Sequence, residues 1–310
     1  MQVFRGFAVK FLAGEHTAVT FGNFDGVHLG HQAILRTLLE TARAHDARSL
    51  VITFFPHPLK ILAPERAPTL LQSLEDRLEC LEKAGVDYTI VVPFTLDFAK
   101  MTAQTFLDCL VKNLNMKALV VGEDARFGAQ RQGDISFLRD ASTKMHFDLI
   151  VAETQMASEK RISSSRIRKL LQAGEVDEVA SLLSRPFSIT GEVVSGEGRG
   201  RELGFPTANL LADAETMPMF GVYACQVEVN GALWPSAVHH GPIPTFGCKR
   251  PALEAHIIGF NGEIKGHRIR VFFHKFLRPI QKFENSDTLR QQISTDVEET
   301  LRFFRQRGAQ

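Results

Sequence analysis

Thr20-Phe21-Gly22-Asn23-Phe24-Asp25-Gly26-Val27-His28-Leu29-Gly30-His31 follows a short apolar run, Thr17–Gly22, and leads into residues 31–44, where Ile34, Leu35, Leu38, Leu39 and Ala42 share one helical face. A strand, a glycine-rich turn and a helix in that order place the turn at the carboxyl edge of a sheet, where open α/β folds bind ligands. Gly22, Gly26 and Gly30 let backbone approach a bulky anion. His28 and His31, three apart, share the first helical turn, where N–H groups and the helix dipole favour negative charge. Two imidazoles there suit the charge that develops on a phosphate during displacement. A bare pair of histidines at a helix start is more often a cap; the glycine frame shifts the reading toward phosphate chemistry.

The same alternation continues along the chain. Ser49–Phe55, Tyr88–Pro93, Ala118–Gly122 and Phe147–Ala152 read as further short strands, apolar enough to be covered on both faces. Residues 73–84 read as a helix opened by Ser73, with Asp76 in its first turn and Leu74, Leu78, Leu81 and Ala84 inward. Alternating β and α predicts a parallel, doubly wound sheet. Two helices, Ser163–Ala173 and Val176–Leu183, separated by Gly174, end this half. Arg185-Pro186 breaks the pattern, so the domains are expected to be 1–184 and 185–310. Beyond it, Ser188–Ser195, Val222–Val229, Leu233–His240, Leu253–Phe260 and Arg268–Phe273 read as short strands. Asn230-Gly231 and Asn261-Gly262 are hairpin signals between such runs. A small β-barrel or sandwich is expected, closed by a helix that Ser286 caps and that buries Leu289, Ile293, Val297, Leu301 and Phe304.

Composition excludes several classes. At about 150 residues per domain, 310 residues make roughly two. A formal net charge of +1 gives no global reason to seek nucleic acid or an anionic membrane. The four cysteines, at 80, 109, 225 and 248, form no Cys-x-x-Cys pair, which argues against a disulfide framework or zinc site and fits a reducing cytoplasm. No apolar run reaches membrane-spanning length, and Arg5, Lys10, Glu15 and His16 interrupt any leader-like segment. Arg302, Arg305 and Arg307 read as a solvated helix end. His239-His240 has no evident third ligand for a metal.

Two further stretches carry chemistry. Ile162-Ser163-Ser164-Ser165-Arg166-Ile167-Arg168 sets three hydroxyls and two arginines at a helix start, a phosphate clamp in form. The run 196–209 holds Gly196, Gly198, Gly200 and Gly204 with Arg199 and Arg201, then Pro206-Thr207-Ala208-Asn209. Successive glycines form an anion nest. Thr207 and Asn209, two apart on a strand, point the same way, and two neutral oxygens plus a phosphate suit Mg²⁺.

The 20–31 pattern resembles the nucleotidylyltransferase superfamily, whose two signature histidines fall on His28 and His31. Thr53-Phe54-Phe55-Pro56-His57-Pro58, Gly122-Glu123-Asp124-Ala125-Arg126-Phe127-Gly128 and the 162–168 run are similar to the adenylyltransferase half of bacterial bifunctional riboflavin kinase/FAD synthetases. The 196–209 run resembles the riboflavin kinase signature, as do Gly221-Val222-Tyr223 and Leu253-Glu254-Ala255-His256. The resemblance spans nearly the whole chain. It implies a Rossmann-like nucleotidylyltransferase domain with a parallel sheet, followed by a small β-barrel kinase domain with a terminal helix.

By that resemblance the chain phosphorylates riboflavin to FMN with ATP and Mg²⁺, then joins AMP to FMN, giving FAD and pyrophosphate. His28 and His31 stabilise the transition state. Gly22, Asn23, Phe24, Asp25, Gly30, Ser163, Ser164, Ser165, Arg166 and Arg168 hold ATP, and Phe54, Pro56, His57, Asp124 and Arg126 face the flavin. In the kinase, Gly196, Gly198, Arg199, Gly200, Gly204 and Pro206 hold phosphate, Thr207 and Asn209 the metal, and Glu254 is the base. The expected partners are small molecules only, the expected state a monomer or weak homo-oligomer in the cytoplasm. The chain departs from the family pattern at Ala125 (usually Phe) and Ser165 (usually Thr). In the kinase half His239 replaces Asn, Ile243 replaces Arg, Lys265 replaces Tyr and Ile280 replaces an acidic residue. Those changes leave open an alternative, an adenylyltransferase alone with a degenerate kinase half as structural or flavin-binding module.

Overall fold

A computed structural model describes the chain except for residues 8–14, 154, 158–159, 197, 242–251 and 309–310, and gives only the backbone of Arg199, Ala252 and Gly308. Its contacts form two compact units, Met1–Thr69 with Ser73–Ser163, and Leu70–Gln72 with Ser164–Gln310.

The first unit is built on six parallel strands: β1 (Gln2–Arg5), β2 (Thr17–Phe21), β3 (Arg48–Phe55), β4 (Tyr88–Pro93), β5 (Met116–Gly122) and β6 (Asp148–Ala152). Their order is β1-β4-β3-β2-β5-β6. Five strands were expected; β1, four mostly exposed residues on the edge of β4, is the sixth. Alternate residues of the central strands enter two separate cores. Val19, Leu50, Ile52, Leu119 and Val121 lie in one, and Ala18, Val51, Ala118 and Val120 in the other. That is why these strands read as continuous apolar runs.

The helices of this unit are α1 (Leu29–Ala44), α2 (Pro58–Leu62), α3 (Leu74–Lys83), α4 (Leu96–Ala99), α5 (Ala103–Asn113) and α6 (Ile135–Met145). Ser73 accepts the N–H of Asp76 to cap α3, as expected, a contribution of about 1 kcal/mol. The inward face of α3 differs from the expectation, because Leu74, Arg77 and Leu81 are buried while Leu78 is only partly covered. Chain order reverses between β2 and β5, which puts the turn after β2 at the switch point of the sheet.

A two-stranded ribbon, β7 (Met156–Ala157) with β8 (Lys160–Arg161), precedes α7 (Ser164–Gln172) and α8 (Val176–Leu183). Gly174, at φ +81°, turns the chain between these helices, and α8 packs on strands of the second unit. That unit is a closed antiparallel barrel of β9 (Phe187–Val194), β10 (Ala208–Ala212), β11 (Gly221–Val229), β12 (Ala232–Gly241), β13 (Ala252–Ile257) and β14 (Arg268–Arg278), in the order β10-β13-β12-β11-β14-β9. A single helical turn, α9 (Arg199–Glu202), precedes β10, and α10 (Ser286–Gly308) closes the chain.

Asn230 and Gly231, both at positive φ, form the predicted two-residue turn between β11 and β12. Asn261-Gly262 joins no hairpin, because β14 pairs with β11 and β9 and not with β13. The cap of α10 is Asn285, whose Oδ1 accepts the N–H of Thr288, and Ser286 is already helical. The apolar stripe of α10 is half-buried; its fully buried side chains are polar, Asp296 and Thr300. Asp296 accepts two bonds of 2.8 Å from Arg278 on β14, a bidentate pair that satisfies both charges.

Candidate active sites

In the first unit the turn after β2 is bent into an unusual path. Phe24, Gly26 and Val27 have φ of +47°, +88° and +39°. A β-branched residue there costs on the order of 1–3 kcal/mol and persists only where its surroundings hold it. Phe24 and Val27 are buried, and the N–H of Val27 donates to the C=O of Phe24 at 3.2 Å. The turn delivers His28 as the N-cap of α1, its Nδ1 accepting the N–H of His31 at 3.3 Å. The two imidazoles stack, centroids 3.7 Å apart and 15° from parallel. A Cβ on Gly30 would press on the His28 ring at 3.2 Å, which accounts for glycine there.

Because its Nδ1 accepts, a neutral His28 carries its proton on Nε2. His31 Nδ1 is shielded from solvent with no hydrogen-bond partner among the described residues, and the Phe24 ring lies 5.2 Å away. Burial, then the charges of His28 and Arg77, hold the pKa of His31 well below the usual histidine range. His31 is therefore held neutral, and the stacked rings form a pre-aligned pair at a helix N-terminus.

Asp25, like Phe24, is buried beneath the turn. Asn23 reaches across to His57, its amide 3.1 Å from Nε2, while His57 Nδ1 accepts the N–H of Leu59 and caps α2. Phe54 packs edge-on against Phe94 at 5.9 Å, and the Phe55–Pro56 bond is cis. Asp124 pairs with Arg161 at 2.5 Å, and exposed Arg126 bonds the C=O of Ala125. Arg161 was not singled out in the sequence; its signal was its place just before Ile162-Ser163. Ala125 packs on the apolar cluster that contains Phe127. Ser163 ends the first unit; Ser164, exposed Ser165, Arg166 and Arg168 lie on α7, with Arg166 held by Glu178 of α8 at 2.7 Å.

In the barrel, cross-strand register aligns Asn209, Glu254, His239 and Arg278 in one row, with apolar Val222 between the last two. Asn209 on β10 faces Glu254 on β13, Glu254 faces His239 on β12, His239 faces Val222, and Val222 faces Arg278 on β14. Directly opposed residues share one face of a sheet. His239 is held below the usual histidine pKa, mainly by burial, against the pull of Glu254. Its ring lies over Gly241, where Ile280 also packs, so two departures from the family pattern adjoin. Lys265 is exposed beside Gly266, and Ile243 lies outside the described residues.

Thr207 directly precedes β10, one residue short of the strand. His256, quoted only as part of a motif, bonds the C=O of Pro206 through Nδ1 at 2.9 Å and tethers that segment to β13. The glycine-rich run is less open than a continuous nest. Arg199–Glu202 within it form α9, and the N–H groups of Arg201, Gly204 and Phe205 bond carbonyls inside the run. Gly198 and Gly204 have φ of +78° and +86°. A Cβ on Gly200 would meet the C=O of Phe205 at 2.5 Å and Thr207 Oγ1 at 3.2 Å, and one on Gly196 would collide with the amide of Asn209. Gly196→Ala is therefore expected to displace Asn209 and lower riboflavin phosphorylation about tenfold or more, leaving FAD formation from supplied FMN unchanged. Paired assays of the two reactions check it.

The FAD synthetase family model matches residues 12–166, and the riboflavin kinase family model residues 183–304. The bifunctional riboflavin kinase/FMN adenylyltransferase of Escherichia coli K12 is 39% identical over 292 residues, 94% of this chain and 93% of that one. The protein of the same description from Bacillus subtilis is 35% identical over 293 residues, 93% and 92% of the two chains. Among solved structures, a Streptococcus pneumoniae chain described as a macrolide-efflux protein superposes with a TM-score of 0.88 at 30% identity, covering 97% of this chain and 99% of that one. With each half matched by its own family model and the identity running through both, the chain belongs to the bifunctional riboflavin kinase/FMN adenylyltransferases.

Proposed function

We propose that the chain makes both flavin cofactors, phosphorylating riboflavin to FMN with ATP and then adenylylating FMN to FAD. The carrying observation is that each half holds its own phosphate-handling constellation, the stacked His28–His31 pair and the Asn209–Glu254 row. The efflux description of the Streptococcus structure is not transferred, since it has no counterpart in these two constellations. Among the described residues, no helix is long and apolar enough to cross a membrane.

In adenylyl transfer an FMN phosphate oxygen attacks the α-phosphorus of ATP, and the bond to pyrophosphate breaks. His28 and His31 donate N–H groups to the oxygens that gain charge, aided by the start of α1. Asn23 and His57 hold the two loops that frame this position. We assign ATP phosphates to Gly22, Gly30 and the 163–168 motif, the last on its pattern alone, and the flavin side to Phe54, Pro56, Asp124 and Arg126.

In the kinase Glu254 takes the proton of the ribityl 5′-hydroxyl as that oxygen attacks the γ-phosphorus of ATP, and the bond to ADP breaks. Thr207 and Asn209 offer the hard neutral oxygens that Mg²⁺ takes, and the absence of a Cβ at Gly196 and Gly200 leaves both side chains in place. Thr207 and Asn209 would hold the metal, and the chemistry supplied there would be neutralisation of the charge on the transferring phosphate. Gly196, Gly198, Arg199, Gly200, Gly204 and Pro206 line the phosphate loop. We divide the two activities at residues 184/185.

One incubation with riboflavin, ATP and Mg²⁺, with flavins separated over time, tests the reading. FMN followed by FAD is expected. Unchanged riboflavin, with added FMN still converted to FAD, would favour the alternative of a degenerate kinase half.

A further inference from the structure

On α3 the positions three before and four after one another carry Leu74, Arg77 and Leu81, and all three are buried. Arg77 is 1% exposed. A guanidinium out of water is costly unless its charge and its N–H groups are met. Nη1 donates to Thr53 Oγ1 at 3.0 Å and to the C=O of Phe54 at 3.2 Å, while Nε has no hydrogen-bond partner among the described residues. Buried Asp25 supplies the opposing charge. Thr53 donates in turn to the C=O of Asn23 at 3.2 Å, and the Asn23 amide meets His57. One cation thus reaches the end of β3 directly and, through Thr53 and Asp25, the turn that carries His28 and His31.

We propose that Arg77 is a positioning residue for adenylyl transfer, locking the 20–31 and 53–58 loops together and setting a fixed positive charge behind His31. This rests on placing that reaction at the 20–31 turn. The charge has its own consequence. Around the His31 ring stand His28 from its own turn and Arg77 from α3, with Asp25 opposing Arg77, and Arg77 helps keep the ring neutral. Removing the cation raises the pKa of His31, so the acid limb of adenylylation moves to higher pH. A residue that merely filled the core would move stability and leave that limb in place.

The test uses the full chain with Arg77→Met and Arg77→Lys. Arg77→Met is expected to lower kcat for FMN adenylylation about 10²-fold, with a much smaller change in KM, and to shift the acid limb upward. Arg77→Lys keeps the charge and is expected to recover to within about tenfold of wild type, its acid limb unmoved. Unchanged riboflavin phosphorylation reports that the chain is otherwise intact. A kcat within about threefold of wild type in Arg77→Met, or equal losses in both variants with neither limb moved, overturns the proposal. Should Arg77→Met not fold, Thr53→Val decides, because it cuts the link to Asn23 and leaves the charge. The proposal then requires about a tenfold fall in kcat at an unmoved limb, and wild-type kcat overturns it. His28→Ala separates the two levels: if FAD formation survives that change, the assignment of the site has failed, and the role of Arg77 is not what was tested.

Discussion

His28→Ala is expected to slow FAD formation from FMN by about 10²- to 10³-fold, the usual cost of losing one preorganised donor to a developing oxyanion, while riboflavin phosphorylation is unchanged. Three things leave with the side chain: the Nε2–H donor, the stacked partner that aligns His31, and the cap on the N–H of His31. The cap alone contributes about 1 kcal/mol to stability. His28→Asn separates these effects, because asparagine caps well but has no imidazole. Most of the rate loss is expected to persist in His28→Asn, with thermal stability near wild type. Rates from separated flavins and a melting curve check both. An Asn variant as fast as wild type would reduce His28 to a cap.

Glu254→Gln is expected to slow FMN formation from riboflavin by about 10²-fold or more, within the range for loss of a general base. The substitution keeps size and the cross-strand neighbours Asn209 and His239, so the barrel has no reason to unfold. FAD formation from supplied FMN should continue at the wild-type rate. A single-turnover measurement with riboflavin and ATP gives the chemical step. A rate within about threefold of wild type would mean that positioning and the phosphate loop carry the reaction without a base.

Much of this was legible in the sequence where a local pattern has one physical solution. The strand–glycine–helix order around His28 and the positive-φ pair Asn230-Gly231 are such patterns, and both stand in the structure. What could not be read depends on distant pairing. β1 is four mostly exposed residues that pair with the edge of β4. The row Asn209–Glu254–His239 is brought together by the registers of β10, β13 and β12, which no local motif records. Arg77 sat in plain view on the apolar face of α3, between Leu74 and Leu81. Read by charge it belongs to solvent; buried Thr53 and Asp25 and the C=O of Phe54 make the inward position tolerable.

The most direct test of two independent chemistries in one chain is a time course from riboflavin, ATP and Mg²⁺ with His28→Ala alone, Glu254→Gln alone, and the two mixed. His28→Ala is expected to stop at FMN, Glu254→Gln to leave riboflavin, and the mixture to make FAD. FAD from His28→Ala alone, or FMN at the wild-type rate from Glu254→Gln alone, would contradict it.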